Sequence, residues 1–299
     1  MKEAIWVTWE NQIRNRSMTT ALSIPLYIIN YKTSRIIRYI LCIVKTFLLL
    51  IKEKPKVVFA QNPSVILNLF LLILRPIFQF KILSDAHFGG VEAYNGSRIF
   101  QKILDYNNRC MDAVIVTNME HARHIERVGG KAFVCEDPLP DLSRFYKPNM
   151  DGEKNVFFIC SYAIDEPYTI AFDAARLLFD EGYRFHVSGN YQKVGIDPKM
   201  YPHIHFLGFV SESEFYKTLF QSQVVLDLTS RENCLVCGAY EAMSALKPLV
   251  TSDRLVLRQY FNRGTVFSEH NLQSIADSVR YAYENRDILE KEIHMWVIQ

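Results

Sequence analysis

Short runs of β-branched and aromatic residues alternate with longer stretches of helical period along almost the whole chain, the pattern of consecutive βα units around a parallel sheet. The runs predict strands at 4–8, 56–60, 79–84, 112–117 and 131–135. A loop carrying Pro138, Pro140, Pro148, Asn149, Asp151 and Gly152 then interrupts the alternation, which resumes at VFFIC (156–160) and continues through FHVSG, HIHFLG, VVLDL, PLVTS and TVF. The chain therefore reads as two α/β, Rossmann-like domains, 1–150 and 151–285, with a helical tail over 286–299 expected to pack back on the first half.

In open parallel sheets ligands bind beyond the carboxyl ends of the strands, so the residues that follow each strand carry the functional content. In the first half these are Trp9 and Glu10, then Gln61, Asn62 and Pro63, then Asp85, His87, Gly89 and Gly90, then Asn118. In the second they are Ser161, Tyr162, Asp165 and Glu166, then Gly189 and Asn190, then Gly208, then Thr229 to Asn233, then Ser252 and Asp253. Two such rims facing each other would form a cleft.

The segment LDLTSRENCLVCGAYEAMSALKPLVTSD (226–253) is the most informative. A strand ends at Leu228, a polar loop follows, and a helix is predicted to begin near Leu235, where first-turn N–H groups without internal partners favour an anion. Gly238 and Ala239 are small enough to admit a ligand, Arg231 offers a charge-assisted fork to phosphate, and Glu241 is an acceptor suited to ribose hydroxyls. Together they suggest a site for a nucleotide diphosphate and its sugar; the plain alternative is an ordinary strand-loop-helix with a surface Arg and Glu. On the other rim, Asp85 and His87 are two apart at a strand end and so point to one side, placing a carboxylate beside an imidazole that would act as base, with Glu10 in reserve. The plain alternative is that Asp85 caps a turn and His87 packs.

EAMSALKPLV (241–250) resembles the phrase "EAMA-GKP-V" of the donor-binding region of GT-B glycosyltransferases, particularly the large retaining family 4. AQNPSVIL and LSDAHFGG resemble rims of that family's acceptor domain, and HIHFLGFVSESEFYKTL its "G-x-V" turn, which implies that Phe209 and Val210 lie near the nucleotide base. The chain departs from the family at Asn233, where a glutamate is usual. TWENQIRNRS replaces a Gly-Gly loop, and SYAIDEPY has Tyr162 and Tyr168 in place of an Arg and a Lys. The resemblance implies two Rossmann-like domains facing across a cleft, with a UDP- or GDP-linked sugar held by the second. Tyr162, Gly189, Asn190, Thr229 and Leu235 are its further expected donor contacts. The acceptor would be a glycan or lipid-linked saccharide in bacterial surface polysaccharide assembly. A nucleotide-sugar 2-epimerase of the same architecture and a non-catalytic partner of another transferase are the rival readings.

Charge adds a location. The net charge of +2 hides a split: residues 1–84 hold twelve Lys/Arg against Glu3, Glu10 and Glu53, a charge of +9, so the remainder carries −7. Within 33–53, Arg35, Arg38, Lys45 and Lys52 fall on one stripe of a predicted helix that is otherwise Ile, Leu, Val and Phe. This fits either a sheet-packed helix with one solvated face or an in-plane helix on an anionic membrane. A spanning helix needs about 20 nearly uncharged residues, and no such run is present. The start MKEAIWVTWE lacks the features of a signal peptide, so a cytoplasmic protein at the inner face of the membrane is expected, its six cysteines unbridged. The basic quarter lacks the interleaved aromatics of a nucleic-acid surface. Cys234 and Cys237 form a C-x-x-C outside the fold context of a redox motif. The pairs His203/His205 and His121/His124 lack a third ligand, and no glycine run reaches G-x-G-x-x-G. No metal or other cofactor is expected beyond the nucleotide-sugar co-substrate, since a helix dipole and Arg231 would meet the leaving-group charge.

Overall fold

The computed structural model describes residues 2–62, 64–93, 96–145 and 153–298. Pro63 and the predicted boundary at 150, with Pro148, Asn149, Asp151 and Gly152 around it, lie outside the described residues. The chain forms two compact units, Met1–Asp137 and Pro138–Gln299. The stretch after Pro138 belongs to the second unit because Leu142 is buried in its core and the Phe145 ring lies 4.6 Å from Tyr216.

The first unit runs β1 (Ala4–Thr8), α1 (Ile13–Ala21), β2 (Leu26–Ile28), α2 (Arg35–Glu53), β3 (Val57–Asn62), α3 (Val65–Phe78), β4 (Lys81–Ala86), α4 (Phe88–Val91), α5 (Arg98–Cys110), β5 (Ala113–Val116), α6 (Met119–Arg127) and β6 (Ala132–Val134). Its parallel sheet has the order β2-β1-β3-β4-β5-β6, so the strand order reverses between β1 and β3. Only β2 has no predicted counterpart; three residues are too few to show a period. Alternation sends Ile5, Val7, Val58, Ala60, Val114 and Val116 to one face, under α2, α3 and α6. Trp6, Phe59 and Ile115 go to the other, where Met18 of α1 packs and the Trp6 and Phe59 rings stack at 5.2 Å.

The second unit runs β7 (Lys154–Phe158), α7 (Tyr168–Phe179), β8 (Tyr183–Ser188), β9 (Ile204–Gly208), α8 (Glu212–Gln221), β10 (Val224–Asp227), α9 (Cys237–Ser244), β11 (Leu249–Ser252), α10 (Leu255–Tyr260), β12 (Thr265–Ser268), α11 (Leu272–Glu284) and α12 (Arg286–Val297). Its order β12-β11-β10-β7-β8-β9 is that of a dinucleotide-binding sheet, with the reversal between β7 and β10. The tail forms α12, which buries Leu289 and Ile293 within this unit and sets Trp296 5.6 Å from Tyr260 and 6.0 Å from Phe261. One side of it therefore packs on α9, α10 and the turn at Gly264.

Helix α2 turns both basic and aliphatic residues outward. Arg35, Lys45 and Lys52 are exposed, and the Arg38 guanidinium lies over the Tyr39 ring at 5.2 Å. The side of α2 opposite its buried residues is nevertheless aliphatic, with Ile40, Val44 and Leu48 each half or more exposed.

Candidate functional site

At the rim of the first unit, the loop after β1 and the end of β3 meet at the strand-order reversal. Asn15 donates to the Gln61 side-chain oxygen at 2.9 Å, and Thr8 bonds the same oxygen. Asp85, at the end of β4, is 1% exposed and accepts from Arg14 Nε at 3.0 and 3.2 Å. Arg14 also donates to the Glu136 and Cys135 carbonyls and to Asp137. Burial pushes the Asp85 carboxyl up from its ordinary value, against the pull of Arg14 and His87. Asp85 is thus paired with a buried guanidinium as well as standing near His87. His87 Nε2 is buried, lies 3.8 Å from Asp85 Oδ2, too far for a hydrogen bond, and has no hydrogen-bond partner among the described residues. Glu10, on the loop after β1, is exposed, its backbone N–H given to Thr8 Oγ1. Arg14 escaped the sequence reading because a lone Arg inside TWENQIRNRS carries no motif. Asn62 and Asn108 both donate to the Gly90 carbonyl, at 3.1 and 2.9 Å, which fixes the turn after His87.

At the rim of the second unit, the loops after β7 and β10 are joined through Asp165. It accepts from Thr229 Oγ1 at 2.9 Å and pairs with Arg231 at 2.9 Å, while its carbonyl takes the Ser230 N–H at 2.7 Å. Glu166 fills the turn after β7, accepting from the Ser161 and Ala163 N–H groups at 2.9 and 3.0 Å and from Ser161 Oγ at 2.8 Å. Gly189 approaches this turn so closely that a Cβ would meet the Cys160 carbonyl at 2.0 Å. Asn190 caps the short helical turn that follows, and Phe209 stands 93% exposed beside the half-buried Val210.

Four expectations are revised here. Helix α9 begins at Cys237, two residues beyond Leu235, and its first-turn Gly238 and Ala239 N–H groups favour the charge of the buried Asp227 carboxylate, which sits against Gly238. Gly238 is small for Asp227 and Ile159, which sit against it, rather than for a ligand. Tyr162 is 3% exposed in the core, its ring 5.3 Å from Tyr168, and does not face the rim. Arg231, with Arg254 and Arg258, is already paired to a carboxylate of the rim, respectively Asp165, Glu232 and Asp253. Asn233 and Leu235 are half-buried on the loop before α9.

Glu241 stands apart from these satisfied groups. It is half-buried on the second turn of α9, and no donor of the described residues reaches its carboxylate. Burial pushes its carboxyl up to about 7. Such a group gains by meeting hydroxyl donors from outside the chain. Among the described residues no cluster of three or more His, Cys, Asp or Glu is arranged to hold a metal ion, and no helix is long and apolar enough to cross a membrane.

No family model matches the sequence, and no curated protein matches it. In fold the chain is similar to two-domain nucleotide-sugar enzymes of the GT-B type. HepE of Anabaena, solved in complex with UDP-glucose, matches with a TM-score of 0.74 at 11% identity, over 98% of this chain and 94% of that one. Sucrose-phosphate synthase of Thermosynechococcus elongatus matches at 0.79 and 12%, over 99% and 94%. The UDP-GlcNAc 2-epimerase of Methanocaldococcus jannaschii matches at 0.62 and 12%, over the full length of both chains. The two parallel six-stranded sheets with flanking helices are thus a GT-B architecture.

Proposed function

We propose that the protein is a glycosyltransferase that takes its sugar from a UDP- or GDP-linked donor held by the second unit. The observation that carries this is Glu241: a half-buried, donorless carboxylate beside the β7/β10 reversal, where a dinucleotide-type sheet binds its ligand. In this reading Glu241 accepts from the two ribose hydroxyls, Phe209 and Val210 meet the base, and Gly189, Asn190, Thr229, Arg231, Asn233 and Leu235 surround the phosphates and sugar. The diphosphate displaces Asp165 from Arg231 when it binds. His87, whose buried Nε2 has no hydrogen-bond partner among the described residues, is the base once the acceptor reaches it, and Glu10 is its exposed reserve. HepE, solved with UDP-glucose, supports a UDP-linked donor in particular. The acceptor is a glycan or lipid-linked saccharide of a surface polysaccharide, reached from the cytoplasmic face of an anionic membrane beside Arg35, Arg38, Lys45 and Lys52.

Incubation with UDP- and GDP-sugars and a membrane lipid extract tests the reading. Sugar incorporated into lipid supports transfer. An isomerised donor instead supports a nucleotide-sugar 2-epimerase, the reading favoured by the full-length fold match to such an enzyme. Neither product, with donor bound, leaves a non-catalytic partner of another transferase, which the paired state of the rim arginines favours.

A further inference from the structure

We propose that the outward faces of α2, α3 and α5 form one docking surface for an anionic lipid bilayer, on which the first unit lies with α2 in the membrane plane. The inference rests on and deepens the membrane placement above; the transfer chemistry plays no part in it. A helix packed on a sheet ordinarily turns charged residues to water, as α6 does with Glu120, Arg123, Glu126 and Arg127. Helix α2 does the opposite. It buries Cys42, Thr46, Leu49 and Leu50, and on the far side carries Ile37, Ile40, Val44, Leu48 and Ile51, each between 44% and 55% exposed. These five are three or four residues apart and so form a single line along the helix.

The apolar surface continues across the neighbouring helices. Phe47 of α2 meets Phe78 of α3 edge to face at 5.9 Å, and Ile73 and Ile77 of α3 are each 68% exposed. Helix α5, which contacts α3, adds Ile99 and Tyr106 at 76% and 54%. Contiguous exposed apolar patches of this kind mark interaction sites rather than ordinary surface.

Charge selects the partner. Lys45 and Lys52 lie along one edge of the α2 line, and α5 carries Arg98, Lys102 and Arg109. The acids on these three helices are Glu53 and Asp105, and both are taken, Glu53 by Lys2 at 3.2 Å and Asp105 by His124 at 2.8 Å. A second copy docked on this face would bring cations against cations, whereas anionic headgroups complement them while the aliphatic side chains enter the acyl boundary. No helix here crosses a membrane among the described residues, so the mode is in-plane.

Flotation with phosphatidylcholine vesicles, with and without phosphatidylglycerol, tests this on the full chain. The protein is expected to float with the anionic vesicles and to keep part of its binding at high salt, because the aliphatic contribution is not screened. Ile40→Glu with Val44→Glu, both at exposed positions, should lower partitioning by at least about tenfold with melting unchanged. Lys45→Glu with Lys52→Glu should lower it chiefly at low salt. Absence of vesicle binding overturns the proposal, as does binding untouched by the Ile40/Val44 pair, or a solution dimer that this pair dissociates. UDP-glucose affinity measured without vesicles separates the two readings: it stays if only the docking surface is wrong and is absent if the donor site is wrong.

Discussion

The Asp227 carboxylate occupies the space where a side chain at residue 238 would begin: its Oδ2 lies 2.5 Å from the position of a Cβ on Gly238. The N–H groups of Gly238 and Ala239 favour the charge of the same carboxylate, so one buried acid of strand β10 sits against the start of helix α9. Gly238→Ala forces either that acid or Ile159, 2.9 Å from the same point, to move. It should cost about 2–4 kcal/mol, read as a fall in melting temperature of roughly 5–10 °C. Unchanged melting would show that α9 does not depend on this contact.

Arg14 and Asp85 hold the other rim together. Removing the guanidinium leaves a buried carboxylate uncompensated, so Arg14→Ala should destabilise the first unit by about 3–5 kcal/mol in chemical denaturation. Arg14→Lys keeps the charge but loses the fork to the Cys135 and Glu136 carbonyls, and should fall between that variant and the wild type. If Asp85→Asn retains full stability and loses only turnover, Asp85 is catalytic after all.

Glu241 ties donor binding to pH. Its carboxyl, pushed up to about 7 by burial, accepts two hydroxyls fully only when ionised. UDP-glucose affinity should therefore rise by roughly tenfold between pH 6 and pH 8, and Glu241→Gln should flatten the profile. The stability of the unliganded protein has the opposite slope. A folded value above the unfolded one means that the folded chain holds the proton more tightly. Stability from this group is then present below the ordinary carboxyl value and lost as pH rises to about 7. Calorimetry at several pH values checks both slopes; an affinity independent of pH in the wild type removes Glu241 from the donor site.

Much of this was legible in the sequence because parallel strands buried on both faces are continuous apolar runs. VVLDL, PLVTS and FHVSG mark β10, β11 and β8 for that reason, and the rim residues follow by position alone. The pairing of those rim residues was not legible. Nothing in the spacing of Arg14 and Asp85, 71 residues apart, reveals that they meet. A helix N-terminus that reads as an open anion site is instead faced by the chain's own Asp227, eleven residues before Gly238, whereas local capping rules look only two or three residues back. The outward aliphatic line of α2 was not legible for a related reason: the basic residues are visible in the sequence, but which aliphatic side turns outward depends on which face the sheet takes.

Helix α12 offers a direct test of how the second unit is closed. Gly264 adopts φ +64°, and a Cβ there would meet Ile293 at 2.1 Å and the Leu289 carbonyl at 2.6 Å. Its N–H is given to Glu292 at 2.9 Å, so the turn before β12 is clamped against α12 by backbone and side chain together. Gly264→Ala should cost at least about 2 kcal/mol from strain and overlap. Ile293→Ala, which removes the side chain from the other side of the same contact, should cost about 2–4 kcal/mol. Because the two residues touch, the double variant should cost less than the sum, since the smaller side chain at 293 makes room for the new methyl. Strict additivity in a double-mutant cycle would place α12 elsewhere, and with it Trp296, whose removal from Tyr260 and Phe261 would otherwise uncover one end of the core that supports α9 and Glu241.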